Sequence, residues 1–572
     1  MKNIRILIIS GCLGLSYFGT AYGQSAIDGY NLSQPDMKGT ARFMGMAGAF
    51  GALGGDLSSI SQNPAGIGVY RSGDVGFTLD LDLQKSSALA QGMQNDVTQT
   101  KFLLNNIGAV ITMRLPNSTF PNFNFGFTYN KGASFNRRYG GMIPSLSNSL
   151  SNYIAGICNA DGVTVGDVSY AEGIDPYNPG PDYYAAPWLS ILGYDGYLIT
   201  PSEGVDRTRW WGQWGDTTSG SGMFFANEKG SVDEYNIAFG GNISNVLFWG
   251  MNFDITNISY TINAVWGENL QDAYVPDNNN NIVRESASWT LNNVYHAGGT
   301  GFKYSLGIIV KPIQELRLGL SFHTPTWYNI NESYLGSINY TYGGTESGTA
   351  QTNNGVLGYN DVHFRTPMRL IASVAGVIGQ NFILSFDYEW TPYDKMKYSA
   401  PNYYGGYYDY PGYDYPWDYY SSNGATRAAT NFDYFADDDY FAATNHDIKT
   451  YYQSTNTFRL GAEFKVTPAF SVRAGYSHVS SPVKEAVREN RYEIATAGTI
   501  PSYRFDNSTN YITCGLGYKY QRFYIDLAYV YKHMSSEYHA YTPDIATPEI
   551  PSPQSKLSFI NNQIVLSAGF RF

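Results

Sequence analysis

The stretch QIVLSAGFRF, residues 563–572, decides the fold class. Read as an extended chain, it places Ile564, Leu566, Ala568, Phe570 and Phe572 on one face. Gln563, Val565, Ser567, Gly569 and Arg571 take the other. A period of two is the mark of a strand with two unlike environments. About ten residues suffice for a tilted strand to cross a bilayer.

The same alternation recurs upstream. Phe523, Ile525, Leu527, Tyr529 and Tyr531 alternate with polar or small neighbours, as do Ile512, Cys514, Leu516, Tyr518 and Tyr520. Phe458 to Val466 and Phe470 to Tyr476 repeat it across a turn at Thr467-Pro468. Similar segments lie near 381–391, 368–378, 315–324, 301–312, 246–258, 234–244, 122–131, 105–114 and 75–84. The total is about fourteen, an even number, as a single-chain bacterial barrel requires. Connections alternate as well. Long ones are expected near 85–104, 132–233, 259–300, 325–367, 392–455, 479–509 and 533–561, short ones near 115–121, 245, 313–314, 379–380, 467–468 and 521. Long outer loops and short periplasmic turns are the asymmetry of an outer-membrane barrel, and a soluble β-sandwich has no reason for it. Phe572 at the end of alternating apolar positions resembles the signal by which such barrels engage their assembly machinery.

Composition and the N-terminus agree. The 572 residues include 50 Tyr and 61 Gly, only 15% are charged, and the formal net charge is −12. An acidic, Lys/Arg-poor chain lacks the cationic footprint that nucleic acid demands. Lys2 and Arg5 precede the apolar run Ile6 to Leu15, and Ala21-Tyr22-Gly23 offers a small-x-small cleavage pattern, so residues 1–23 read as a signal peptide. Cys12 lies too early for a lipoprotein processing box. The expected place is the outer membrane, among lipid and lipopolysaccharide, as a monomer. Cys158 and Cys514 remain, with Cys514 on an apolar strand face and expected as a free thiol.

A barrel of this size has an interior wider than its own side chains fill. Residues 24–70, ahead of the first strand, are placed to occupy it, leaving 71–572 for the barrel. This segment contains GMAGAFGALGGDLSSISQNPAG, Gly45 to Gly66. Asp56 is a candidate cap for a short helix over 57–61, which Asn63-Pro64 would end. The phosphate-loop reading fails, because Gly51 to Asp56 lacks a Gly-Lys-Ser/Thr ending and no βαβ unit surrounds it. The polar strand faces bring Lys303, Arg317, Arg369, Arg459, Arg473, Arg522 and Lys532 to the lumen, where pairing with Asp254, Asp387, Glu463 or Asp526 is the simplest account.

With these residues in place, the chain resembles the FadL/TodX family of outer-membrane transporters of hydrophobic compounds. The resemblance rests on Ala41-Arg42-Phe43-Met44-Gly45-Met46-Ala47-Gly48-Ala49-Phe50, then Asp56 and Asn63-Pro64-Ala65-Gly66. It continues through Gly307 to Pro312, Leu316 to Phe322, Thr324-Pro325-Thr326 and Arg365-Thr366-Pro367. It implies a fourteen-stranded barrel with an N-terminal hatch. It also implies energy-independent uptake of long-chain fatty acids or similar molecules, by an outer landing surface, an apolar pocket and a lateral exit. Arg42, Phe43, Met44, Met46, Phe50, Asn63, Pro64 and Ala65 are the candidate ligand or gating residues. Arg317, Arg369, Arg459 and Arg473 are the candidate partners for a carboxylate.

Other chemistry is poorly supported. No H-E-x-x-H or G-x-S-x-G occurs and the seven His are scattered, so neither an enzyme nor a cofactor or metal site is expected. Asp437-Asp438-Asp439 lacks calcium-loop spacing and reads as a solvated acidic loop, and Asp277 to Asn281 reads as a turn. The alternatives to uptake are a general diffusion porin, or a barrel that displays the Tyr-rich stretch within 392–455 for binding.

Overall fold

The computed structural model describes residues 24–572 except 117–118, 171–172, 180–182, 203–208, 277–281, 380, 402–440, 490–491 and 543–551. The expected signal peptide, the Tyr-rich stretch, Asp437 to Asp439 and the turn at 277–281 lie outside the described residues. The chain forms a closed antiparallel barrel of 14 strands. The wall begins with β1 (Asp74–Ala90), β2 (Met93–Arg114) and β3 (Asn122–Ser134, continued by Arg137–Ile143). It runs on through β4 (Ser219–Ile243), β5 (Leu247–Pro276) and β6 (Ile282–Val310). Two interrupted strands follow, β7 (Leu316–His323, then Trp327–Tyr342) and β8 (Gly358–Arg365, then Arg369–Ile378). The remainder are β9 (Phe382–Pro392), β10 (Ser454–Lys465), β11 (Phe470–Val479), β12 (Tyr503–Tyr520), β13 (Phe523–His539) and β14 (Gln554–Arg571). Each pairs with its neighbour, and β14 returns to β1 in the register Phe77↔Ala568, Leu81↔Ile564. Closure leaves no open edge in the hydrocarbon layer, which is why alternating side chains alone meet lipid.

The alternation holds. Phe523, Ile525, Leu527 and Tyr529 point out with relative exposures of 61%, 47%, 43% and 43%, whereas Asp526, Ala528 and Val530 are buried inside. Tyr388 and Trp390 also face outward, half-exposed. Cys514 is on the outer face and Cys158 is buried, both as free thiols.

The expected outer loops need correction. Residues 85–104 are not a loop: β1 and β2 run on to a two-residue turn at Gln91 and Gly92, whose φ values of +47° and +85° match the hairpin twist. Much of 259–300 belongs to β5 and β6, 30 and 29 residues long. Much of 325–367 continues β7 and β8, and parts of 479–509 and 533–561 extend β12 to β14. Past the lipid band an outward side chain meets water, so apolar alternation stops while the hydrogen-bond ladder continues.

Within 132–233, helices α4 (Leu150–Asp161) and α5 (Trp188–Asp195) fold over the outer rim. They share a core with Ala88, Phe224, Trp266, Met534 and Phe559 from the wall. Glu268 accepts from the Leu150 amide at 2.9 Å and from the Trp266 indole at 2.9 Å, which fixes the start of α4 on β5. Burial pushes the Cys158 thiol on α4 up to about 11. A maleimide carried in the lipid phase should therefore modify Cys514 in the native barrel, and Cys158 only after denaturation. Labelling of Cys158 first, read by peptide mass spectrometry, would contradict this placement.

Candidate functional site

The lumen is occupied by residues 24–73, and the wall is shaped to receive them. The segment comprises α1 (Ala26–Ser33), α2 (Ala41–Met44), α3 (Ser59–Gln62) and a 3₁₀ turn, Pro64–Val69. The helix caps differ from expectation. Ser58, not Asp56, precedes α3, while Asp56 accepts from the Ser58 amide at 2.9 Å and from the Thr40 hydroxyl at 2.8 Å. Helix α3 ends at Asn63, whose extended backbone suits a residue before proline.

Backbone lies on backbone at this seat. A Cβ on Gly250 would stand 2.1 Å from the Pro64 carbonyl oxygen, one on Gly319 2.3 Å from that of Gly51, and one on Gly475 2.5 Å from the carbonyl carbon of Met46. No side chain fits those gaps. Hydrogen bonds complete the contact. The Asn63 amide donates to Gly51 O at 2.6 Å and to Ile308 O at 3.3 Å, while its oxygen accepts from Ala65 N at 3.0 Å. The Gly51 amide donates to Asp387 at 2.9 Å, and Ala41 N to the Ser567 hydroxyl at 2.7 Å. Ser321 donates to Gln62 O at 2.9 Å, and His323 Nε2 lies 3.1 Å from the same oxygen.

The candidate residues therefore separate. Phe43, Met44, Met46 and Phe50 are buried in one core with Ala375, Tyr511, Ala528, Val530 and Val565 of the wall. Asn63, Pro64 and Ala65 hold the segment to β5 and β6. Arg42 lines a cavity at the periplasmic end.

Most lumenal cations are paired. Glu463 bridges Arg42 at 2.9 Å and Arg473 at 2.7 Å, and Arg473 reaches on to Asp526 at 2.5 Å. Glu389 holds Arg459 at 2.8 Å and Arg369 at 3.8 Å. Lys532 pairs with Asp36 of the segment at 2.9 Å. Lys303 meets Glu234 at 2.5 Å rather than Asp254, which accepts from Asn252. Asp387 serves Gly51 and Gln62 instead of a cation. Arg522 is exposed on a periplasmic turn and not lumenal. Arg317 has no carboxylate partner among the described residues and donates to Leu53 O at 2.8 Å.

Sequence reading missed the chamber above the segment. Tyr30 of α1 stacks on Tyr452 at 5.1 Å and meets Tyr393 edge-on at 5.3 Å, within a core that includes Phe135, Tyr260, Phe364 and Tyr398. A small cavity of about 60 Å³ borders it, lined in part by Ile27, Tyr139, Tyr260, Tyr295 and Tyr538. Asp28 also lines it, its carboxyl raised to about 6 by burial against the opposing pull of its hydrogen bonds to Ser25. Several of these residues sit on strand extensions that the sequence presented as loop. Their signal was aromatic residues of one parity along a strand, Tyr260 and Trp266 on β5 and Trp289 and Tyr295 on β6, without a lipid-facing partner pattern.

The wall also carries a local defect beside Gln62. Strands β7 and β8 are both interrupted, at 324–326 and 366–368. Against β6, the register passes from His323↔Ser305 to Trp327↔Phe302, so β7 holds one extra residue. Threonine side chains take over ladder bonds: Thr324 Oγ accepts from Tyr304 N at 3.1 Å and Thr366 Oγ from Thr326 N at 2.8 Å. Pro325 and Pro367 have no amide proton to give.

Residues 234–570 match the family described as outer membrane protein transport protein (OMPP1/FadL/TodX). Among solved structures, a Pseudomonas aeruginosa FadL homologue is 13% identical, covering 94% of this chain and 99% of its own, with a TM-score of 0.49. The P. putida toluene transporter TodX is 11% identical (94% and 99% covered, TM-score 0.44), and the Ralstonia pickettii toluene transporter TbuX 13% (95% and 100%, TM-score 0.45). No curated protein matches.

Two variants test the seat. Gly250→Val should displace residues 63–66 while the barrel still closes, giving a heat-modifiable band together with new ion conductance in planar bilayers. Asp80→Asn leaves Lys38 as a buried cation without its 2.7 Å partner, both side chains being 0% exposed. Removing one member of such a pair costs roughly 3–5 kcal/mol. Hydrogen exchange over residues 36–50 should rise sharply, and unchanged exchange would mean the pair does not hold the segment.

Proposed function

The chain belongs to the OMPP1/FadL/TodX family of outer-membrane transport proteins, and on that premise we propose that it takes up long-chain fatty acids or other hydrophobic small molecules passively. The observation that carries the reading is the backbone-to-backbone seat of the N-terminal segment in the lumen. A polar solute needs a continuous watery path, and a lumen packed in this way does not favour one. A hydrophobic molecule instead gains from moving between apolar surroundings. The Tyr-rich chamber offers such surroundings, with ring faces for a chain or an arene and hydroxyl tips for a polar head.

In this mechanism residues 24–73 act as a hatch. Ligand settles among the chamber aromatics and competes with α1 for contact with them. Loosening of Gln62 removes the acceptor shared by Ser321 and His323, beside the wall interruption. Strands β7 and β8, already relying on threonine hydroxyls at this level, then separate to give a lateral exit toward lipid.

The test is binding of palmitate and its methyl ester to the barrel in lipid nanodiscs, followed by intrinsic Trp fluorescence, together with conductance of the same protein. Saturable binding with low conductance is expected. No binding with porin-like conductance would replace this reading with the diffusion-porin one. For the exit, a Thr326→Cys/Thr366→Cys disulfide should leave binding intact and abolish uptake, with recovery on reduction. Uptake that is indifferent to the cross-link would put the exit elsewhere.

A further inference from the structure

At the periplasmic end, below the seated segment, lies a second cavity of about 310 Å³. Four arginines line it: Arg42 and Arg71 from the N-terminal segment, Arg317 from β7 and Arg571 from β14. Their charges are not balanced. Arg42 shares Glu463 with Arg473, and Arg571 lies 3.3 Å from Asp74. The nearby Asp56 is engaged by Thr40 and Ser58. Arg71 donates to the neutral Asn245 at 2.7 Å and Arg317 to the Leu53 carbonyl at 2.8 Å, and neither has a carboxylate partner among the described residues. Arg317 Nε is buried without a hydrogen-bond partner. This contrasts with Arg369, Arg459 and Arg473, each of which has a carboxylate.

Arg71 stands exposed at the cavity mouth, and Arg317 is half-buried with its Nε idle. A partly desolvated guanidinium with an idle donor is costly unless an anion completes it, and its planar fork suits a carboxylate or phosphate. The remaining wall carries the apolar side chains of Leu53, Val69, Val377 and Ile383 beside Tyr70, Ser72 and the backbone of Gly54 and Gly55. A small hydrophilic anion would satisfy the arginines and leave these side chains idle. An amphiphile satisfies both. We propose that this cavity is a binding site for a hydrophobic carboxylate at the periplasmic face of the hatch, read by Arg71 and Arg317. The proposal rests on the uptake reading above and adds to it a second, charge-selective station. Because Arg42 and Arg71 belong to the segment and Arg317 to the wall, an anion here bridges hatch and barrel and is lost when they part.

The experiment uses palmitic acid with a diazirine beside the carboxylate, and its methyl ester, photolysed with the mature barrel in phosphatidylcholine nanodiscs. The acid should label peptides containing Leu53 to Gly55 or Val69 to Ser72, and the ester should not. Arg71→Gln/Arg317→Gln should reduce that labelling about tenfold or more, as expected for losing charge-assisted bonds. Arg317→Lys should retain most of it, and labelling near Tyr260 should not change. Heat-modifiable mobility confirms that each variant is folded. Acid and ester labelling the lower cavity alike, survival of the label in the double variant, or labelling near Tyr260 alone would each overturn this site while leaving uptake standing. Displacement by millimolar inorganic phosphate as effective as by unlabelled palmitate would overturn the hydrophobic part. Labelling at neither cavity would overturn the uptake reading as well.

Discussion

The close approach of one backbone to another, inside a barrel, is the constraint on which the rest depends. Residues 45–68 rest against Gly241, Gly250, Gly307, Gly319, Gly461, Gly475 and Gly515, contributed by seven of the wall strands. Removing side chains from those positions lets carbonyls and amides of the segment face the sheet directly. Once they are there, every polar group needs a partner, because the lumen at this level has little room for water. Asn63, Ser321, Thr513, Asp387 and Ser567 supply those partners, and their positions follow from the seat.

The ionic lattice is a second consequence. Much of the lumenal strand face away from the apolar core around Phe43 and Phe50 is polar and charged, and closely spaced like charges would repel across so narrow a space. Interleaving solves this: Arg42, Glu463, Arg473 and Asp526 form a chain of alternating sign, partly buried. Such pairs add little net stability over an apolar core, but each member alone is expensive. The lattice therefore specifies position more than it strengthens the fold. Arg42 belongs to the segment, so the lattice also registers the segment against β10 and β11.

The barrel was legible because lipid imposes a period of two on each crossing strand, and QIVLSAGFRF displays it without interruption. The strand count and the short turns followed from the same rule. Strand length was not legible. Met93 to Lys101 belong to β2, yet their outward side chains meet water and the polarity contrast disappears. The wall glycines were visible on the polar faces, Gly461 and Gly475 among them, but only the structure pairs each with a segment of chain hundreds of residues earlier. Arg317, Arg369, Arg459 and Arg473 of the candidate set stand on strands. Which of them lack a partner depends on the positions of Glu389, Glu463 and Asp526 across neighbouring strands, information that no single strand contains.

The uneven distribution of unpaired charge has a directional meaning. A carboxylate entering the upper chamber meets Arg137 and Arg504, but Glu228 and Asp506 already lie against them. In the middle of the lumen Arg369 and Arg459 share Glu389, Arg42 and Arg473 share Glu463, and Arg473 also has Asp526, so each of these guanidiniums already has a carboxylate. Neither level offers an anion a large gain, so on the proposed uptake reading apolar contact governs passage through them. At the periplasmic rim, by contrast, Arg71 and Arg317 have no carboxylate partner among the described residues. A gradient of this kind favours an anionic head moving inward without holding it at each stage. It acts on charged amphiphiles and leaves neutral ones to partition by their apolar surface. On the proposed uptake reading, both classes would enter at the outer end and be treated differently at the inner one.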